Sequence, residues 1–275
     1  MLISVVNHTS TTISDEEVQA TVRAINRQLQ EDYRSNWGID ATLRLEGRGG
    51  LQPDQQLAAS MRGDAVIYLW DGSDVPGALG YHDRNNRGIP YGFVFTALSA
   101  QLGEPWSVTF SHEALELVGD AYVNQLVMGP HPADSRRDVF FWYEMCDAVQ
   151  AETYEIDGVA VSNFLLPLYF TIEAEAEGRN DFLGRLHNGQ PLQSFGLNPG
   201  GYVGFWDPTT GQHETYAQKD DATAVERLRI KAQAGEARRV VRYQQLDPSA
   251  RRTEDQLAAL SNGNLAAAAI ERIGV

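Results

Sequence analysis

The opening thirty residues constrain the fold most. Residues 2–6 form an apolar run, and Ser14-Asp15-Glu16-Glu17 then reads as a capping box, a serine with a glutamate three residues on. Val18, Val22, Ile25 and Leu29 follow at helical spacing. A strand leading into a long amphipathic helix points to mixed α+β architecture, with the helix laid on a sheet.

The rest of the chain repeats these signals. Residues 41–46 alternate as a strand does, and glycines at 47, 49 and 50 close it. Residues 65–70 and the aromatic-rich 89–95 read as strands, joined by a loop holding Gly72, Pro76, Gly77, Gly80 and Gly88. A loop that long and glycine-rich borders a cleft. Pro105 opens a helix with apolar positions at Val108, Leu115 and Val118, and Gly119 ends it. Residues 128–137, with Pro130 and Pro132, read as a loop, and the aromatic run 139–145 as a buried segment. Asp157-Gly158 marks a hairpin.

Beyond Gly200 a strand pair turns at Pro208 and Gly211, followed by an arginine-rich helical pattern over 222–245 and an alanine-rich one over 253–273. The division that follows is a main domain over 1–190 and a C-terminal hairpin and helical extension over 191–275, packed on the first. The terminal helices offer a surface for an assembly partner.

Charge and cysteine content narrow the function. With 22 basic against 37 acidic side chains the formal charge is −15, which opposes nucleic-acid phosphates and anionic lipid. Cys146 is the single cysteine, read as a small buried side chain; it cannot pair internally or supply a cysteine-rich zinc cluster, so His, Asp and Glu must hold any metal. No apolar run is long enough to span a bilayer, and MLISVVNHTS lacks a basic leader and a cleavage site. The expectation is a cytoplasmic protein, with leaderless export or particle association left open.

One segment carries chemistry. Residues 107–120, SVTFSHEALELVGD, contain His112-Glu113-Ala114-Leu115-Glu116, an H-E-x-x-E pattern. Residues four apart share a helix face, so His112 and Glu116 can hold one cation between them while Glu113 stands beside the pair as a general base. A carboxylate in place of a second imidazole shifts preference from zinc toward oxygen-loving ions such as Ca2+ or Mn2+. The plain alternative is a helix whose glutamates face water.

A third ligand has three sources. Glu144 and Asp147 lie in an apolar stretch, where buried carboxylates need a partner, either a cation or an arginine such as Arg136 or Arg137. Asp120, after Gly119, is a ligand candidate or a turn aspartate. His82 and Asp83 lie in the glycine-rich loop and read either as residues that reach the cleft or, as is usual for a lone loop histidine, as solvated ones; His131 reads as a rigid loop residue, while Tyr143 and Tyr154 are core side chains or donors to an oxyanion.

A strand, a long helix, further strands and an H-E-x-x helix resemble the N-terminal half of the zincin metallopeptidases, over about residues 1–150. Glu144 followed by Asp147 is similar to the gluzincin pattern of a glutamate ligand backed by an aspartate. The resemblance implies a zinc peptidase in which His112, Glu116 and Glu144 bind metal, Glu113 is the base and Asp147 orients His112. It also implies that 89–95 is an edge strand aligning a peptide or protein substrate. Glu116 stands where the family has histidine, and Asp147 follows Glu144 by three residues where thermolysin-like enzymes use four. The metzincin third-ligand position is Tyr122. Two functions therefore compete: a metal-dependent hydrolase, and an inactive zincin-fold binding or assembly protein, such as a component of a phage or other particle, with a structural ion.

Overall fold

The computed structural model describes residues 1–9, 13–46, 63–72, 79–84, 88–172 and 178–218. The fold is mixed α+β. Strand β1 (Leu2–His8) leads into helix α1 (Asp15–Arg27), whose capping box forms: the Glu17 N–H donates to Ser14 Oγ at 3.2 Å and the Ser14 N–H to Glu17 Oε2 at 2.8 Å. The helix continues through a π-helical segment, Gln28–Tyr33, into α2 (Arg34–Trp37), and stops at Gly38, whose φ of 68° suits glycine.

Strands β2 (Thr42–Leu45), β3 (Ala65–Trp70), β4 (Gly80–Arg84) and β5 (Pro90–Phe95) complete a five-stranded sheet in the order β2-β1-β3-β5-β4. Its strands are parallel except β4, which runs antiparallel to β5 at the edge. Side chains alternate across it as the pleat requires. Ile3, Val5, Ala65, Ile67, Leu69 and Val94 face α1 and the main core, while Val6, Val66, Tyr68, Phe93 and Phe95 form an aromatic cluster on the opposite face.

Helices α3 (Thr96–Gln101) and α4 (Trp106–Gly119) follow the sheet. A second, antiparallel sheet has the order β11-β10-β7-β6, built from β6 (Leu126–His131), β7 (Asp134–Trp142), β10 (Val203–Asp207) and β11 (Gln212–Tyr216). Hairpin β8 (Thr153–Ile156) and β9 (Val159–Ser162) turns at Asp157-Gly158, both in the left-handed region at φ 52° and 77°, as a type I′ turn needs.

Two sequence expectations are corrected. The edge strand is β4, while residues 89–95 supply β5, inside the sheet, with Gly92, Phe93, Val94 and Phe95 buried. The aromatic content that suggested an edge suits a strand covered on both faces. Residues 128–137 are not a loop but most of the β6–β7 hairpin, whose two prolines sit at its outer end on strand β6 and in the turn, where a missing N–H is tolerated.

Leu192, Phe195, Val203 and Phe205 share one apolar cluster with Val139, Phe141 and Leu165, so the division drawn at residue 190 crosses a continuous core. The helical patterns over 222–245 and 253–273 and the glycines at 47–50 lie outside the described residues. Among the described residues no helix is long and apolar enough to cross a membrane.

Candidate metal centre

Helix α4 is buried on nearly all sides. It packs on β4 and β5 and under hairpin β8–β9, and every residue from Thr109 to Gly119 is covered. The water-facing reading of its glutamates is thereby excluded, since Glu113 is 1 % and Glu116 0 % exposed.

Gln28, in the π-helical segment, fixes the helix beside His112. Ser111 Oγ donates to Gln28 Oε1 at 2.7 Å, the Gln28 amide donates to Ser162 O at 2.8 Å and Tyr154 Oη at 3.1 Å, and the Ser162 N–H closes the circuit onto Ser111 Oγ at 3.1 Å. Tyr154 in turn donates to Asp32 at 2.7 Å. It is thus a structural residue, its phenol pushed far up by burial and by that bond. Tyr143 packs edge-on against Trp37 and against Phe170 at 4.4 Å, with its phenol pushed up to about 12, chiefly by burial.

The 144–147 segment reaches α4 because Gly119 allows it. A methyl group at Gly119 would lie 2.7 Å from Met145 Cε and 2.9 Å from its Cγ. The Cys146 N–H then donates to Glu116 Oε1 at 3.3 Å, and the Met145 carbonyl accepts from the Leu165 N–H at 2.7 Å. This brings Glu144 and Asp147 beside the helix.

The side chains converge on a buried point. His112 Nε2 is 3.0 Å from Glu116 Oε1 and 3.2 Å from Asp147 Oδ1. Asp147 therefore meets the same nitrogen as Glu116, not the opposite one where an orienting acceptor would sit. His82, on β4 and fully buried, places Nδ1 3.4 Å from Glu113 Oε2 and 3.6 Å from Glu116 Oε2, and Nε2 3.7 Å from Glu144 Oε2. Among the described residues two triads have ligand atoms within 4.8 Å of one another: His82, Glu116 and Glu144, and His112, Glu116 and Cys146.

These separations suit a cation. Bonds of ~2.1 Å to a tetrahedral ion set neighbouring ligand atoms roughly 3.4 Å apart. His112 Nε2 lies near that distance from Glu116 Oε1 and Asp147 Oδ1, at 3.0 and 3.2 Å, and within each triad the ligand atoms, one per residue, lie within 4.8 Å of one another. Glu116 Oε2 is buried and meets no hydrogen-bond donor among the described residues. Burial pushes the Glu116 carboxyl up, the charges of Asp147 and Glu144 add to this, and His112 opposes it. Like charges ~5 Å apart repel by roughly 3 kcal/mol at an effective dielectric of 20. A divalent cation relieves that repulsion. These buried His, Glu and Cys groups can bind a metal ion; they do not identify which.

The other candidates lie elsewhere. Asp120 is a turn aspartate: its carboxylate accepts from the Asn124 N–H at 3.2 Å and the Gln125 N–H at 2.9 Å. Arg136 pairs with Asp134 at 2.8 Å and Arg137 with Asp207 at 3.0 Å. Tyr122 is exposed, and His131 accepts from the Ala133 N–H at 3.0 Å and packs on Phe205.

His82 is the main correction: it lies on strand β4 and not in a loop, and of the two readings the buried one holds, not the solvated one; its neighbour Asp83 is also buried, its carboxylate accepting from the Arg84 N–H at 2.7 Å. The alternation Gly80, His82, Arg84 against Tyr81, Asp83 is the signal that could have found the strand, with Tyr81 packing on the opposite aromatic cluster. Cys146 is buried as expected, but beside His112 and Glu116. Two clefts flank the cluster. One, lined by Leu79, Glu104, Val108 and Gln150, reaches His112 and Glu113; the other, lined by Phe141, Trp142, Leu165 and Tyr169, reaches Glu144 and Asp147.

Compared with known proteins, the chain matches no family model, no curated protein and no solved structure.

Proposed function

We propose that this protein is a metal-dependent hydrolase of zincin-like architecture acting on peptide bonds. The observation that carries the reading is that His112 and Glu116, from one helix, meet Asp147, from a segment some thirty residues on, while Glu144 of that segment reaches the same buried cluster beside His82 and Glu116. The mixed sheet with its antiparallel edge strand β4 beside α4 fits the same reading.

His112, Glu116 and a carboxylate of Glu144 or Asp147 would hold the ion, with Zn2+ the first candidate and Ca2+ or Mn2+ the alternatives for so acidic a set. When bound, such an ion polarises a carbonyl and stabilises the charge that develops on its oxygen. Glu113, at the end of the cleft lined by Leu79 and Val108, takes the proton of the attacking water and returns it to the leaving amine. The near-complete burial of Glu113 keeps that carboxylate from competing solvent.

The closed setting favours a second reading, in which the ion is structural and the protein serves binding or assembly: His82 and Glu116 are both 0 % exposed. Glu113→Gln separates the two. In a hydrolase the variant retains the ion and loses casein cleavage by about 10²–10⁴-fold. A zinc-loaded wild type that cleaves no peptide, yet melts lower on chelation, supports the structural ion.

A further inference from the structure

Glu116 belongs to both ligand triads, and its two oxygens point to different ones. Oε1 lies 3.0 Å from His112 Nε2 and accepts from the Cys146 N–H, on the side of the triad His112, Glu116 and Cys146. Oε2 lies 3.6 Å from His82 Nδ1, on the side of the triad His82, Glu116 and Glu144. The geometry points to a two-cation centre in which the Glu116 carboxylate bridges two divalent ions, one held with His112 and Cys146 and the other with His82 and Glu144. This rests on the metal-site reading above and deepens it by naming a second ion, to which Glu144 is assigned with His82, while Cys146 joins His112 at the first.

Three observations support a second ion. A carboxylate binds two cations when each oxygen faces its own donor set, and Glu116 does so with Oε2 buried and meeting no hydrogen-bond donor among the described residues. The two histidines come from different elements, β4 and α4, so each triad has an imidazole of its own. The cluster also gathers four buried carboxylates, Glu113, Glu116, Glu144 and Asp147. Imidazole binds a cation only when neutral. With both histidines neutral and Cys146 bound as its thiolate, the four carboxylates and the thiolate carry five negative charges; a single divalent ion leaves three of them uncompensated, two ions leave one. Paired ions held this way clamp both the attacking and the leaving group of a displacement.

The test is stoichiometry on the full-length chain. The protein is stripped with chelator, titrated with Zn2+ and separately with Mn2+ by calorimetry, and its metal content is measured after gel filtration. The expected result is two ions per chain for the wild type and one for His82→Ala. Glu144→Gln, at the rim of the cluster, gives the same fall to one if the fully buried His82→Ala does not fold. Glu116→Ala weakens both sites tenfold or more. With Co2+ as probe, the site near Cys146 shows a thiolate charge-transfer band that Cys146→Ser removes and His82→Ala retains. Saturation at one ion with both metals overturns the two-cation centre and leaves the single-ion hydrolase standing; saturation at none overturns both.

Discussion

Gly80 on β4 is where the fold and the site are most tightly joined. A Cβ added there would lie 2.7 Å from the Phe93 carbonyl oxygen of β5 and 2.9 Å from both Cγ and Oε1 of Glu113. Ordinary carbon–oxygen contact is about 3.4 Å, so the strand must withdraw by roughly half an ångström, and the Phe93 oxygen is backbone that cannot rotate away. Overpacking of this kind costs typically 1–3 kcal/mol, offset by about 0.5–1 kcal/mol because alanine gives up less backbone freedom than glycine on folding. Gly80→Ala is therefore expected to destabilise the protein by about 1–2 kcal/mol in urea unfolding monitored by tryptophan fluorescence. His82 lies two residues along the same face, so the displacement also carries its ring from Glu116 and Glu144. Zinc affinity measured by calorimetry should fall about tenfold. Gly72→Ala, with nothing within 4 Å of the added carbon, is the control and should be neutral. A Gly80→Ala protein with wild-type stability and wild-type zinc affinity would refute the claim that β4 positions the site.

Three further outcomes are expected. Glu113→Gln should bind zinc as the wild type does while losing peptide cleavage, measured by calorimetry and casein hydrolysis. Ser14→Ala removes the acceptor of the Glu17 N–H and should cost about 1 kcal/mol in the urea midpoint, leaving metal binding unchanged. Burial raises the Asp181 carboxyl above its ordinary range, against the hydrogen bonds from Asn163 and Gly184. Between the ordinary aspartate value and that raised value the folded chain holds a proton that the unfolded chain has released, so stability falls as pH rises through this window. Asp181→Asn should remove that slope, and a stability difference from wild type that does not change between pH 4 and 7 would contradict it.

The local elements were legible wherever chemistry was local. The Ser14–Glu17 box, the Asp157-Gly158 turn and the His112–Glu116 helix all appear at their places, because each is set by residues within four positions of one another. The strand carrying His82 was not. Tyr81-His82-Asp83 has little strand character, sits among glycines, and becomes β4 only through pairing with β5. Cys146 and Asp147 face a similar limit: their approach to His112 depends on Met145 packing over Gly119, a contact between residues distant in sequence. Arg136 was a reasonable partner for a buried carboxylate by proximity in sequence, yet it points along the β6–β7 hairpin to Asp134.

The central claim is that the buried cluster around Glu116 binds a divalent cation. Its most direct test is the melting temperature of chelator-stripped protein with and without zinc, for wild type and Glu116→Ala. At a free zinc concentration one hundred times Kd, binding to the folded state alone adds about 2.7 kcal/mol, which for a folded unit of ~200 residues is roughly 5–11 °C. The account predicts that rise in the wild type and its loss in Glu116→Ala. An unchanged melting temperature in the wild type, or an equal rise in Glu116→Ala, would contradict it.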